Sequence, residues 1–274
     1  DRIRLFEVLF EALKNDVFPS IDEPNQMNSE FRNFAFFESY FSNYIEGTRF
    51  ELDVAKDIVD SKKVLPLRHD DSHDILGTFE LVSDIREMSR TPSSADEYIE
   101  TLKYRHKRIL RHRTYVNPGS FKTKNNMAGN SHFVDYRLVE GTLKKGYEIY
   151  SQLNDPVAKA YMMMFITSEV HPFDDGNGRI SRIMMNSELV SSGLPKTIIP
   201  NVFRIDYIDA LKRLTQKNDS DTYIRAMERA RLYSSMLDGN DFDNLVNFFK
   251  KTNAFFDDQE HILIVPLEKK DRTT

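Results

Sequence analysis

The chain has 274 residues, a formal net charge of −5 and no cysteine. This length predicts one large domain, or one domain with an appended subdomain. The negative charge excludes a global attraction to nucleic acid or to an anionic membrane, and the lack of cysteine excludes disulfides and thiolate chemistry. No apolar run approaches the roughly 18 to 20 residues of a bilayer span, and the first residues lack the pattern of a signal peptide. We therefore expect a cytoplasmic protein.

Helical periodicity dominates the chain and predicts a mainly α fold with at most a small β element. The helices expected in the first third lie at residues 3–14, 29–46, about 50–60 and about 73–90, with LRHDDSHD as a loop between the last two. Asn28 or Ser29 can cap the second helix, and Gly47 suits the left-handed position that follows a helix end.

Later in the chain, start and stop signals are clear. Ser94 and Glu97 form a capping box that opens a helix to about Arg113. Residues 115–141 are polar and contain several glycines, so they suit a loop or an irregular hairpin. Further helices are expected at residues 141–153, 156–169, 177–192, 204–217, 220–237 and 242–250, and a strand-like run, HILIVP, at 261–266.

The segment HPFDDGNGRISR, residues 171–182, joins two predicted helices and contains an anion site. Gly176, Asn177 and Gly178 precede a helix whose free N–H groups and dipole favour a negative charge. Arg179 and Arg182 are three residues apart, so they share a helical face beside that site. Two arginines above a phosphate-sized site indicate a polyphosphate rather than a single carboxylate.

Two more residues of this segment add the chemistry of group transfer. Asp175 offers a hard oxygen ligand where Mg²⁺ bridging phosphate oxygens would sit. His171 titrates near neutrality and can accept the proton of an attacking hydroxyl. A capped turn with ordinary salt bridges is the plainer interpretation, and it would suffice for the Gly-Asn-Gly sequence alone. The complete set of twelve residues instead indicates attack at a nucleotide phosphate.

The segment resembles the signature of the Fic family, and every fixed position of that signature is met. The resemblance implies an all-α Fic fold, a helical bundle with a short β-hairpin flap. It also implies transfer of AMP from ATP to a Ser, Thr or Tyr hydroxyl of a target protein. The roles that it implies are general base for His171, Mg²⁺ ligand for Asp175, buried anchor for Phe173, phosphate binding for Gly176, Asn177, Gly178 and Arg179, γ-phosphate binding for Arg182, and a place on the nucleotide-facing turn for Ser181.

An upstream segment resembles the inhibitory motif of Fic proteins whose regulatory helix precedes the core. Ser42, Glu46 and Gly47 fit its pattern at the end of the predicted helix 29–46. The resemblance implies that Glu46 pairs bidentately with Arg182 and so occupies the group that should hold the γ-phosphate. The plainer alternative is a solvent-facing serine and glutamate with an ordinary helix end.

Residues 120–140 fall where Fic proteins carry a flap that pairs with the main chain of the target. Ala128, Gly129, Asn130 and Ser131 resemble its nucleotide-side turn, and an ordinary surface loop is the alternative. Tyr207 occupies a position where family members often place an aromatic residue by the nucleotide base. A core tyrosine is the alternative there.

Other charged and apolar clusters receive plainer interpretations. The basic run at residues 103–113 is expected on a solvated helix rather than on nucleic acid, and the cluster at 69–74 as a polar turn and helix cap rather than a metal site. The methionines at 162–164 and 184–185 are expected in the core.

Together these observations predict a self-inhibited protein adenylyltransferase that uses ATP and Mg²⁺. The expected regions are an N-terminal helical region at 1–95, a Fic core at 96–238 and a C-terminal appendage at 239–274. Its expected partner is a target protein, and self-modification and a homodimer are left open. Two alternatives remain: removal of AMP from a modified protein with Glu46 positioning the water, and a helical module that only senses nucleotides.

Overall fold

The computed structural model describes residues 1–266. Within them the architecture is helical, and the sequence prediction of an all-α fold is confirmed. The helices are α1 (Arg2–Asn15), α2 (Asn28–Ile45), α3 (Leu52–Ser61), α4 (His69–Val82), α5 (Ile85–Met88), α6 (Ala95–Leu110), α7 (Val139–Tyr150), α8 (Pro156–Val170), α9 (Asn177–Ser191), α10 (Arg204–Lys217), α11 (Ser220–Ser234) and α12 (Phe242–Lys251).

Helices α8 and α9 form the centre of the bundle and carry the signature segment between them. Helix α8 is apolar on every side, which is the pattern of a helix surrounded by protein. The methionines at 162–164 and 184–185 are at most 1% exposed, as expected for core residues. The connection between the two helices is therefore anchored at both ends in the buried core of the fold.

Helix α2 lies against α9 and α4 on one side and against the C-terminal helix α12 on another. The ring of Phe249 on α12 lies 4.6 Å from that of Phe37 and 5.0 Å from that of Phe41. Because Phe37 and Phe41 are four residues apart, they share one face of α2. The C-terminal segment thus covers an apolar face of the helix predicted to be inhibitory.

The short hairpin at residues 127–132 is the only sheet within the described residues. Its strands are β1 (Met127–Ala128) and β2 (Ser131–His132), which pair antiparallel with Met127 opposite His132. Gly129 has a φ of +56° at the turn, in the left-handed region that glycine adopts without strain. The expectation of an irregular hairpin at 115–141 is confirmed.

Four expectations from the sequence are wrong. The segment expected as a loop before residue 73 is helical from His69, and the helix expected to run to residue 90 ends at Val82, because Asp84 caps the separate helix α5. Residues 261–266 form no strand; the backbone N–H of Ile264 donates to Thr252 O instead. The basic run is not wholly solvated, since Arg105 and His106 are fully buried.

None of the helices in the described residues is both long enough and apolar enough to cross a membrane.

Candidate active site

The loop between α8 and α9 is fixed by its own side chains. Helix α8 ends at His171, whose φ of +53° places it in the left-handed region. Phe173 is fully buried, as expected for an anchor. The side chain of Asn177 braces the loop, because its Oδ1 accepts from Phe173 N and its Nδ2 donates to Phe173 O, both at 2.9 Å. The Asn177 side chain is thus engaged within the loop, and only its backbone N–H is left for an anion.

His171 has the hydrogen-bonding pattern of a base. Its Nδ1 lies 3.3 Å from the carbonyl oxygen of Ser168, which must accept, so Nδ1 carries the proton and the lone pair is on Nε2. The ring of Phe133 lies face to face with the imidazole at 3.7 Å. Burial lowers the pKa of His171 to about 4. The imidazole is therefore neutral at pH 7 and can accept a proton.

The start of α9 provides the anion site, and the carboxylate of Glu46, the residue directly after α2, already lies on it. Gly176 has a φ of +80° and turns the chain into the helix, whose first N–H groups have no helical acceptor. A Cβ added at Gly178 would overlap Oε1 of Glu46. Glu46 thus lies against the same N-terminal turn that would receive a phosphate.

Arg182 is bound from three sides by residues of α2 and its end. Its Nη2 lies 2.7 Å from Glu46 Oε1 and 3.0 Å from Ser42 O, and its Nε donates to Ser42 Oγ at 3.1 Å. Arg182 therefore makes a single hydrogen bond to the Glu46 carboxylate. The expected bidentate pairing is wrong, because Nε of Arg182 donates to Ser42 instead. Gly47 ends this segment with a φ of +93°, as its sequence position suggests.

Arg179 ends on a different group from Arg182. Its Nη1 lies 2.9 Å from the buried carboxylate of Asp74 and 3.3 Å from Asn43 Oδ1 on α2. Asp74 also binds Arg113, at 2.8 Å. Asp74 was expected in a polar turn, but it lies on α4. There it binds Arg179 of the signature, a contact that no local sequence pattern indicates.

Asp175 lies at the open edge of the site. Its side chain is 48% exposed and lies 3.6 Å from Arg179 Nη2, while its Oδ1 accepts from Gly176 N. No cluster of three or more His, Cys, Asp or Glu side chains in the described part of the chain could hold a metal by itself. A magnesium ion bound through one carboxylate and the oxygens of a triphosphate needs no such cluster, so this half-exposed carboxylate fits that use.

His106 is a buried residue that sequence analysis missed. Its Nε2 donates to Asp175 O at 2.9 Å, and its Nδ1 accepts from Gly119 N at 2.9 Å. The ring stacks on Phe173 at 3.7 Å. Burial lowers its pKa to about 4. His106 thus supports the anion loop from below as a neutral residue, and the only signal for it was its place on the inner face of α6.

The hairpin and α10 form a cleft of about 150 Å³ beside the end of α8. Its lining includes Ala128, Ser131 and Phe133 on the hairpin side and Ile208 and Leu211 on the α10 side. The predicted turn residues Gly129 and Asn130 join the two strands.

Two predicted site residues are buried away from this cleft. Tyr207 is 3% exposed, and its hydroxyl lies 3.5 Å from Arg182 Nη1, so it is a core tyrosine under the arginine. Ser181 is also buried and donates to Gly178 O.

Comparisons with known proteins find a matching family and several relatives. The Fic/DOC family profile matches residues 97–189. The protein adenylyltransferase Fic of Drosophila melanogaster is 27% identical over 218 residues, which are 77% of this chain and 44% of that protein. The chain therefore spans less than half the length of this curated relative.

Among solved structures, Fic-1 (residues 134–508) from Caenorhabditis elegans matches with a TM-score of 0.62 at 20% identity, over 91% of this chain and 72% of that one. A Fic domain containing signalling protein from Bacteroides thetaiotaomicron matches with a TM-score of 0.63 at 15% identity, over 95% of this chain and 100% of that one. At these identities the likeness shows the fold alone, and that fold is the helical Fic fold.

Proposed function

We propose that this chain, whose residues 97–189 match the Fic/DOC family profile, transfers AMP from ATP to a hydroxyl group of a protein. The observation that carries the proposal is a neutral His171 with a free Nε2, next to a helix N-terminus that presents Arg182. The name of the Drosophila relative, a protein adenylyltransferase, supports the same reaction.

In the proposed reaction His171 acts as general base. The target hydroxyl gives its proton to Nε2, and its oxygen forms a bond to the α-phosphorus of ATP. The bond from that phosphorus to the bridging oxygen breaks, and pyrophosphate leaves. The β- and γ-phosphates would lie on the N-terminal turn of α9, with Arg182 on the γ-phosphate.

Asp175 would hold Mg²⁺ together with phosphate oxygens, and the ion would neutralise charge on those oxygens when bound. The cleft carries apolar side chains on both walls, among them Ala128 and Leu211, beside polar ones such as Ser131 and Lys212, and it would receive the nucleobase. The exposed hairpin beside it would bind the main chain of the target protein by adding a strand.

We further propose that the enzyme is self-inhibited. The Glu46 carboxylate lies against Gly178 and 2.7 Å from Arg182, where the γ-phosphate would have to bind. Two anions cannot share one arginine and one helix N-terminus without strong repulsion at this distance. ATP would therefore bind with its phosphates displaced, and displacement by about 1 Å can remove most of the rate.

The test is transfer of label from α-³²P-ATP to protein with Mg²⁺ present. We expect Glu46→Gly to incorporate at least about tenfold more label than wild type, since a carboxylate at an arginine is worth about 1.5–3 kcal/mol. Glu51→Gly, an exposed glutamate at the start of α3, is the matched control and should behave like wild type.

Further variants separate the competing functions. His171→Ala in the Glu46→Gly protein should abolish transfer while ATP binding stays intact. Equal incorporation by wild type and Glu46→Gly would overturn the self-inhibition. If wild type releases AMP from a modified target and Glu46→Gly does not, the activity is removal of AMP. If the protein binds ATP without any transfer, it is a nucleotide sensor.

A further inference from the structure

The ring of Phe133 lies parallel to the imidazole of His171, with centroids 3.7 Å apart and an interplanar angle of 4°. Phe133 follows strand β2 of the hairpin and is partly buried. We infer that Phe133 is a positioning residue: its ring holds the His171 imidazole with Nε2 turned into the site. The inference rests on the proposed function in that it assigns His171 the role of base.

A second histidine in the same fold, His106, shows why the additional restraint on His171 is a stacked ring and not a second hydrogen bond. His106 also lies parallel to a phenylalanine, Phe173, at 3.7 Å and 4°. Both nitrogens of His106 have hydrogen-bond partners at 2.9 Å, so its ring is fixed at two points. A base cannot be held in that way, because one nitrogen must stay free for the proton.

The polar contacts of His171 do not by themselves fix the orientation of its imidazole ring. Within residues 1–266 the ring makes one hydrogen bond, in which Nδ1 donates to Ser168 O at the long distance of 3.3 Å. A single bond at the long end of the range restrains rotation about the terminal side-chain torsion weakly, since that torsion is broad for histidine. Stacking against Phe133 supplies the second restraint and occupies neither nitrogen.

The position of Phe133 is set by contacts that tie the hairpin to the rest of the site. Arg2 donates from Nη2 to the carbonyl oxygen of His132, directly before Phe133. Asn126, directly before β1, donates from Nδ2 to Phe173 O at 3.0 Å in the anion loop. A displacement of the hairpin would therefore also displace the Phe133 ring from His171.

The same ring shields the imidazole from water. Charged groups that face His171 are Lys122 at the base of the hairpin, Glu46 after α2 and Asp175 in the loop. Burial nevertheless has the largest influence and lowers the His171 pKa to about 4. Removing the phenyl ring would admit water and raise this pKa toward the value of about 6.5 for an unperturbed histidine.

The test uses the full chain with Glu46→Gly, so that transfer is measurable. We expect Phe133→Ala to lower kcat for AMP transfer about two- to tenfold, the effect of losing one aromatic stack. Phe133→Tyr keeps the ring and should keep kcat. Phe256→Ala removes an exposed phenyl ring that stacks on His261 at 3.6 Å and should match the parent, which separates loss of the Phe133 stack from loss of a phenyl ring elsewhere.

Two readouts distinguish positioning from a merely structural role. The acid limb of the pH–kcat profile should move upward in Phe133→Ala, because the base must be neutral and its pKa rises. The imidazole resonances of His171, assigned by comparison with His171→Gln, should titrate at higher pH in the same variant. Unchanged kcat together with an unchanged titration of His171 would overturn the inference.

The titration also separates this inference from the proposed function. If no variant transfers AMP but the His171 pKa still rises in Phe133→Ala, the reaction is wrong and the restraint on the ring is right. If Glu46→Gly transfers AMP and Phe133→Ala does so at full rate with the parent pH profile, the reaction is right and the positioning role is wrong.

Discussion

Asp74 offers the sharpest test of how the site is held together. Its carboxylate is 1% exposed and lies 2.9 Å from Arg179 and 2.8 Å from Arg113. Arg179 is 3% exposed, so it cannot regain water if the carboxylate is removed, whereas Arg113 is 17% exposed and keeps Asp71 as a partner. The change Asp74→Asn therefore leaves the buried Arg179 guanidinium with only the longer contact to Asp175, at 3.6 Å from a half-exposed carboxylate, as a counter-charge.

The expected loss of folding free energy follows from this change in the partners of Arg179. Removing one partner of a buried ion pair costs about 3–5 kcal/mol. We take the lower end, about 3 kcal/mol, because Asn43 still accepts from Arg179 and the new amide oxygen keeps part of the hydrogen bonding. For a chain of this length about 1 kcal/mol corresponds to about 2 °C in Tm, so Tm should fall by about 6 °C.

The assay is urea denaturation and differential scanning calorimetry of wild type, Asp74→Asn and Asp71→Asn. Asp71 is the matched control, because its side chain is 31% exposed and its loss should cost less than about 1 kcal/mol. A loss of less than about 1 kcal/mol in Asp74→Asn, or equal losses in the two variants, would refute the claim that Asp74 neutralises Arg179 in the interior.

Two further predictions concern stability. The folded pKa of His106 lies at about 4, below the unfolded value of 6.5, so its contribution is complete above pH 6.5 and is lost as pH falls toward 4. This loss amounts to on the order of 3 kcal/mol, and urea midpoints between pH 7 and 4.5 should fall less steeply in His106→Gln. Phe249→Ala removes a fully buried ring between α12 and α2 and should cost about 3–5 kcal/mol; a loss below about 1 kcal/mol in urea denaturation would show that α12 does not stabilise α2.

The sequence alone predicts those parts of the fold that depend on near neighbours. The capping contact from Ser94 to Glu97 is present, and Gly47 has the expected positive φ. The signature loop could be located because its residues are contiguous. The pairing of Glu46 with Arg182 was expected from the resemblance. That the pairing consists of one hydrogen bond was not expected, because it depends on the contact between Arg182 and Ser42 Oγ.

Residues missed by the sequence analysis act across long separations. Asp74 reaches Arg179, and Phe133 reaches His171, through folding that brings α4 and the hairpin to α9 and α8. His106 lies within the strongly basic run at residues 103–113, and the composition of that run predicted exposure to solvent. Its position on the inner face of α6 instead buries it. Local periodicity cannot rank such positions, because the burial of one face depends on which helix packs there.

The double-sided packing of α2 also sets the size of the motion that would relieve the proposed inhibition. Departure of the helix would bare Phe37 and Phe41, at about 1.5–3 kcal/mol each. The Glu46 side chain is 30% exposed and follows the last turn of α2, so it can rotate into solvent while the helix stays in place. Rotamer changes of exposed side chains take picoseconds to nanoseconds, whereas helix displacements take microseconds or longer. An arriving triphosphate would thus compete with a fast, local equilibrium of one carboxylate.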